Sequence, residues 1–432
     1  MGSMVKNLLV LSTVLAQGLL TAAVPHTQRI PPPPPYVDPI PPSLDPFCTA
    51  TPDFEKTAAG TVLKIRPAPG NLTEIVGAAA AFNVLYRTTD SQFKPDVAVT
   101  TIFVPVTDTR PALVSIQLPY DSANVDDSPS FTLNTDVLGQ AEVIDSLKLG
   151  WFVNVPDFEG TRASFTAGVM SGHATIDSVR ASLNLREKLG LPEETRVALF
   201  GYSGGSLATE WATELAVQYA PELEFAGAAM GGLTANITSV MQTINSGPFA
   251  GLIVSGIVGL SSQFPPVRDF VLSQIKPENL TEFLSVLALP AAVANIQFAF
   301  RNISDFFVNG IDAAMADPIV SEAVFSDQIM GFHGVPKPPV LAYHAVQDEV
   351  TPIADVEELV ARYCEVGGNF LLTRNSAGGH LEEFVNGRQA AFDFLTAVFQ
   401  GRLPEGFPAD GCAVRDVTVD VAAPLAAAAA TA

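Results

Sequence analysis

Three side chains of this 432-residue chain have the types and the order needed to make a hydroxyl attack a carbonyl carbon. The first is Ser203, which lies in Gly201-Tyr202-Ser203-Gly204-Gly205 directly after the apolar run Val197-Ala198-Leu199-Phe200. A serine between glycines at that place predicts a tight strand-to-helix turn. Only small neighbours tolerate such a backbone, and it lifts the hydroxyl clear of the sheet edge. A helix from Ser206 to Tyr219 would aim its N-terminal N–H groups at the same point, where the N–H of Gly204 can meet a developing oxyanion. Downstream, Asp348 opens a loop after the apolar segment from Pro339 to His344. His380 ends the run Asn375-Ser376-Ala377-Gly378-Gly379 that follows Asn369-Phe370-Leu371-Leu372. Serine, acid and histidine in this order, each past a later strand, let the histidine take the serine's proton while the acid orients the ring. Glu349 is a rival for the acid's place, with helix capping or simple solvation as its alternatives.

Only five histidines occur, so the base can be sought by elimination. His26 lies in the N-terminal tail. His173 falls in a predicted helix outside the serine–acid–histidine order and reads as a surface or supporting imidazole. His333 precedes a proline-rich linker and is expected to face solvent. His344 is too close to Asp348 in sequence to be its partner and reads as a packed strand residue. No Cys/His spacing matches a zinc site, and neither a metal nor an organic cofactor is expected.

From Phe54 to Gly232 strand-like and helical segments alternate, which predicts a mainly parallel sheet with helices on both faces. The triad candidates span Ser203 to His380, so the core must be one unit in two parts, 48–233 and 332–412, with an insertion between them. Residues 234–331 are helical and apolar in pattern: Phe249 to Leu260 is uncharged, and Phe283, Val286, Leu287 and Phe298 fall on helical faces. Such a segment reads as a cap that serves as lid and acyl-binding wall, or more plainly as a helical subdomain packed on the core. Residues 24–47 are proline-rich and expected to be an extended, loosely packed leader. Before them, Lys6, the run Leu8 to Leu20 and Thr21-Ala22-Ala23 predict a signal peptide over 1–23 and hence secretion. No later apolar run approaches the ~20 residues of a membrane helix. Residues 413–432 end in an alanine run and are expected to be a disordered tail.

A net charge of −22 argues against a nucleic-acid partner. Sequons at Asn71, Asn236, Asn279 and Asn302 fit passage through a glycosylating route and predict surface positions. Three cysteines allow at most one disulfide. A monomer is expected.

The nucleophile pentapeptide, His344-Ala345-Val346-Gln347-Asp348-Glu349, Gly379-His380-Leu381 and Ala220-Pro221-Glu222-Leu223 together resemble the fungal secretory lipases of the lipase A type. The likeness runs over about residues 45 to 412 and takes in Tyr86-Arg87-Thr88-Thr89 and Pro156-Asp157-Phe158-Glu159-Gly160. It implies an α/β-hydrolase fold with a helical cap, a triad of Ser203, Asp348 and His380, and hydrolysis of lipid or other small esters with transient contact at a lipid interface. It also implies that Asp121, in Tyr120-Asp121-Ser122 after Leu113-Val114-Ser115-Ile116, is the second oxyanion-hole residue beside Gly204. A carboxylate suits that place only if it is protonated or lends its backbone N–H. The resemblance further implies a Cys364–Cys412 disulfide, which leaves Cys48 without a partner.

Within the resemblance the leading expectation is a triacylglycerol lipase or broad esterase that works through an acyl-enzyme on Ser203. The alternative is an esterase deacetylating a secondary metabolite such as a sesquiterpenoid. A non-catalytic binding protein on a hydrolase scaffold is a remote third. Family members carry a long C-terminal flap past the bridged cysteine, whereas only twenty residues follow Cys412 here. That difference predicts a more open site, suited to bulky alcohols or short acyl chains.

Overall fold

A computed structural model describes residues 36–106 and 110–421. The expected signal peptide and the alanine run lie outside the described residues. Among the described residues ten strands form one sheet: β1 (Val62–Pro67), β2 (Ala80–Thr89), β3 (Pro95–Val104), β4 (Ala112–Gln117), β5 (Phe152–Pro156), β6 (Arg196–Tyr202), β7 (Phe225–Gly231), β8 (Val340–Ala345), β9 (Phe370–Asn375) and β10 (Cys412–Val417). Their order is β1-β2-β3-β5-β4-β6-β7-β8-β9-β10. The pairs from β1 through β2 and β3 to β5 are antiparallel, and every later pair is parallel.

The central strands are mostly apolar, with Ser115, Gln117, Asn154 and His344 the polar members of β4, β5 and β8, because helices cover both of their faces. All six residues of β4 and of β8 are buried. Side chains that alternate along a strand enter different cores. Val197 and Leu199 of β6 join one core with Leu207, Trp211 and Leu215 of the helix Gly204–Tyr219. Ala198 and Phe200 join the other, with Phe392 and Leu395 of the helix Arg388–Phe399.

Between β7 and β8 the chain leaves the sheet and builds the helices Ile237–Ile244, Gly251–Gln263, Pro265–Gln274, Ala291–Phe298 and Pro318–Gln328, with shorter turns between them. This excursion starts and returns at one neck, where Asn236 and Ile329 form an isolated antiparallel bridge and Met330 N–H donates to the Ala235 carbonyl at 3.2 Å. On the return path the carboxylate of Glu214, on the helix Gly204–Tyr219, accepts the backbone N–H groups of Gly331, Phe332 and His333. The excursion has its own aromatic centre, with Phe283, Phe298, Phe306 and Phe307 at ring separations of 5.6–6.2 Å.

Two terminal expectations are corrected. Residues 413–417, expected in the tail, are not tail. With Cys412 they add β10 to the sheet edge, pairing in parallel with β9 from Cys412–Phe370 to Val417–Asn375. Its sequence Cys-Ala-Val-Arg-Asp-Val does not alternate apolar with polar residues and three of the six are exposed, so it lacks the usual strand pattern. Within the leader, residues 36–47 are tied to the core. Gly70 N–H donates to the Val37 carbonyl at 2.8 Å, the Asp126 carboxylate takes both the N–H and the hydroxyl of Ser43 at 2.8 Å, and Asp45 pairs with Arg66 at 2.5 Å. Proline content reports missing N–H donors, and side chains supplied the bonds instead.

Candidate active site

Ser203 sits between β6 and the helix Gly204–Tyr219 with φ 53° and ψ −124°, a region that L-residues enter only where their surroundings hold them. Its own N–H donates to the Gly231 carbonyl at 2.9 Å. The flanking glycines are steric necessities. A Cβ on Gly205 would stand 1.9 Å from the Gln117 carbonyl oxygen, and one on Gly204 would stand 1.9 Å from Oδ1 of Asp121.

The structure brings the three candidates together. His380 Nε2 lies 2.8 Å from Ser203 Oγ, and its Nδ1 lies 2.7 Å from Asp348 Oδ2. The other carboxylate oxygen of Asp348 accepts N–H bonds from Val350 at 2.9 Å and Thr351 at 2.7 Å. Burial pushes the Asp348 carboxyl up, but the His380 hydrogen bond and charge outweigh it and hold the group below the usual carboxylate range. Glu349 does not face the ring. Its Oε2 accepts the backbone N–H of His380 at 2.9 Å, at the first residue of the helix His380–Asn386, so the two neighbouring acids hold different atoms of His380.

Other supports could not be read from sequence. Asn375 is buried at the end of β9 and donates to Glu383 Oε2 at 2.6 Å and to the Val419 carbonyl at 2.8 Å, while its Oδ1 accepts Val419 N–H at 3.0 Å. That one amide joins the base's helix to the segment after β10. The only advance signal was its place at the head of a glycine-bearing run. His344 is fully buried and bonds the Thr351 carbonyl at 2.8 Å, which braces the Asp348 loop. His173, expected at a surface or in support, is buried instead, with its ring 4.0 Å from that of Tyr219, and burial lowers it to about 4. His333 packs 4.8 Å from the Trp211 ring rather than facing solvent freely.

Asp121 lies beside Gly204 with φ 46°, and its Oδ1 is buried without a hydrogen-bond partner. Desolvation raises its carboxyl to about 6, with His380 pulling the other way. From Ser203 a narrow apolar slot runs under the β7–β8 excursion. Ile237, Val240, Met241, Ile244, Ile253 and Val271 are among its walls.

Cys364 and Cys412 are joined by a disulfide, and Cys48 is free. The Cys48 thiol is pushed up to about 12 by burial. Asn71 and Asn302 are exposed, and Asn236 and Asn279 are partly so. Among the described residues no group of three or more His, Cys, Asp or Glu is placed to hold a metal ion, and no helix is long and apolar enough to cross a membrane.

Residues 128–406 match the family model for secretory lipases. The chain belongs to the secretory lipase family. It is 46% identical over 398 residues to a trichothecene C-3 esterase of Fusarium sporotrichioides, with 88% of this chain and 89% of that one covered. It is 34% identical over 374 residues to lipase A of Arthroderma benhamiae, with 83% and 79% covered. Its structure is similar to that of Candida antarctica lipase A in its closed state, with a TM-score of 0.79 at 28% identity over 85% of this chain and 88% of that one. This secretory lipase therefore has the α/β-hydrolase fold and is a secreted carboxylic ester hydrolase.

Proposed function

We propose that Ser203, His380 and Asp348 carry ester hydrolysis through an acyl-enzyme, and that the acyl chain lies in the slot beneath the cap. The observation that carries this reading is the juxtaposition of an activated serine with the mouth of an apolar slot. His380 Nε2 takes the Ser203 proton as Oγ attacks the ester carbonyl, and Nδ1–H donates to Asp348, which stabilises the imidazolium. The oxyanion meets the N–H of Gly204 at the helix N-terminus and Asp121 on the opposite side. His380 then protonates the leaving alcohol and activates water to release the acid. An apolar slot favours acyl chains that leave water, at about 0.8 kcal/mol per buried CH₂.

The enzyme acts as a monomer that touches lipid surfaces transiently. Support for that contact comes from the cap, where Ile296 and Phe300 expose 76% and 73% of their surface. The test is hydrolysis of an ester panel from acetyl to oleoyl by wild type and Ser203→Ala, with products identified by mass. Retained activity in Ser203→Ala would remove the site from consideration.

A second reading has its own support. The Fusarium relative is named for an ester at C-3 of a trichothecene, and its identity to this chain exceeds that of lipase A from Arthroderma. On that reading the substrate is a short acyl ester of a bulky polycyclic alcohol. Faster turnover of an acetylated trichothecene than of tributyrin in the same panel would favour it.

A further inference from the structure

The turn that carries Asp121 is tied to the cap through one carboxylate oxygen. Asp121 holds a positive φ, which a non-glycine residue keeps only where its surroundings over-determine it. Its neighbour Ser122 is buried, accepts Asn124 N–H on Oγ at 3.0 Å, and donates its own hydroxyl to Asp127 Oδ2 at 2.6 Å. The same Oδ2 accepts the N–H of Ala291 at 2.8 Å. Ala291 opens the cap helix Ala291–Phe298, so its N–H is among the donors that a helix leaves without an internal partner. A carboxylate at that end is also favoured by the helix dipole.

We propose that Asp127 is a positioning residue that couples the seating of the cap to the shape of the oxyanion turn. Seating brings Ala291 N–H onto Asp127, Asp127 fixes Ser122, and Ser122 fixes the strained Asp121 against Gly204. This rests on the oxyanion role proposed for Asp121. Because the turn meets charge that develops only in the transition state, the coupling acts on kcat rather than KM.

Two variants cut this chain of contacts on either side of the carboxylate. Ala291→Pro removes the cap-side donor alone. Proline suits the first helical position, and the extended Pro290 before it (φ −57°, ψ 145°) accommodates a following proline. Ser122→Ala removes the core-side donor, together with the acceptor of Asn124 N–H. Each is expected to lower kcat on a soluble short-chain ester about tenfold with KM held within about twofold, the loss of one hydrogen bond to a charged group. The two losses act in series, so the double variant should lose about as much as either single one rather than the product. Asp127→Asn keeps an oxygen that can accept both donors and should stay within about threefold of wild type. Active-site titration with a fluorophosphonate normalises every rate to competent enzyme. A single variant with unchanged kcat, or losses that multiply in the double, would overturn the coupling. Activity in Ser203→Ala would instead overturn the site itself.

Discussion

The sheet edge that holds the proposed triad and the β7–β8 excursion, proposed as a cap, that walls the slot are built by different forces. At the edge every group proposed to react is fixed by directed bonds: Asp348 by Val350 and Thr351 N–H, His380 by Glu349 and Asp348, Ser203 by the Gly231 carbonyl. In the cap the slot is lined by Ile, Val, Leu and Met, with polar ties such as Gln328 to Thr166 at 2.7 Å set among them. Directed bonds fail when one atom is removed, whereas apolar walls accept other side chains of similar volume. The edge therefore sets the reaction, and the cap is where substrate range can drift. The relatives fit that division, since one family holds both a trichothecene C-3 esterase and a lipase A.

The sharpest way to break this contrast is at the edge. Asp348→Asn should lower kcat about 10⁴-fold by reversing the tautomer that His380 must hold. Glu349→Gln keeps an acceptor for the His380 N–H and should cost about tenfold or less, as expected for one weakened hydrogen bond. Steady-state rates on one soluble ester decide between them, and a larger loss in Glu349→Gln would reverse the roles assigned to the two acids.

Asp121 gives a pH-dependent test at the same edge. Its carboxyl, raised to about 6, is protonated below that pH and can donate to the oxyanion. Above it the group becomes a negative charge beside developing negative charge, so kcat/KM should fall as pH rises through about 6. Asp121→Asn supplies a donor that does not titrate and should remove that alkaline fall. An unchanged profile in Asp121→Asn would show that the backbone N–H serves instead.

In the cap the expected effects are smaller and selective. Gly256 lines the slot, and a Cβ there would stand 3.0 Å from Thr166 Cγ2. Gly256→Val should slow palmitoyl esters about tenfold, the scale of one or two methylenes in a pocket, and leave acetyl esters within about twofold. Equal losses on both would mean that the slot does not hold the acyl chain. Least affected of all should be the rate after Cys364→Ser/Cys412→Ser. The bridge spans a sequence separation of 48 residues, so its removal should lower stability by roughly 2–4 kcal/mol while kcat of the folded enzyme changes by less than about twofold. Denaturant melts beside active-site-normalised rates separate the two.

The same division governs what could be read in advance. The convergence of Ser203, Asp348 and His380 was legible because an elbow needs glycines and each partner must follow an apolar strand. The mainly parallel sheet was legible because double-sided burial leaves mostly apolar strands, as in β4 and β8, alternating with helical segments. β10 was not, because an edge strand such as Cys412–Val417 with three exposed residues carries little apolar signal. Asn375 and Asp127 escaped assignment because the bonds they make depend on partners distant in sequence, Val419 for Asn375 and Ala291 for Asp127. Local pattern does not encode which buried amide meets which backbone group.

One measurement bears most directly on Ser203 as the acyl carrier. Wild-type enzyme is mixed with excess p-nitrophenyl butyrate, quenched in acid within milliseconds, and mapped by peptide mass spectrometry. The predicted result is a butyryl adduct on the peptide holding Ser203, formed at the rate of the nitrophenol burst and absent in Ser203→Ala. A burst with the acyl group on another residue, or full turnover in Ser203→Ala, would contradict it.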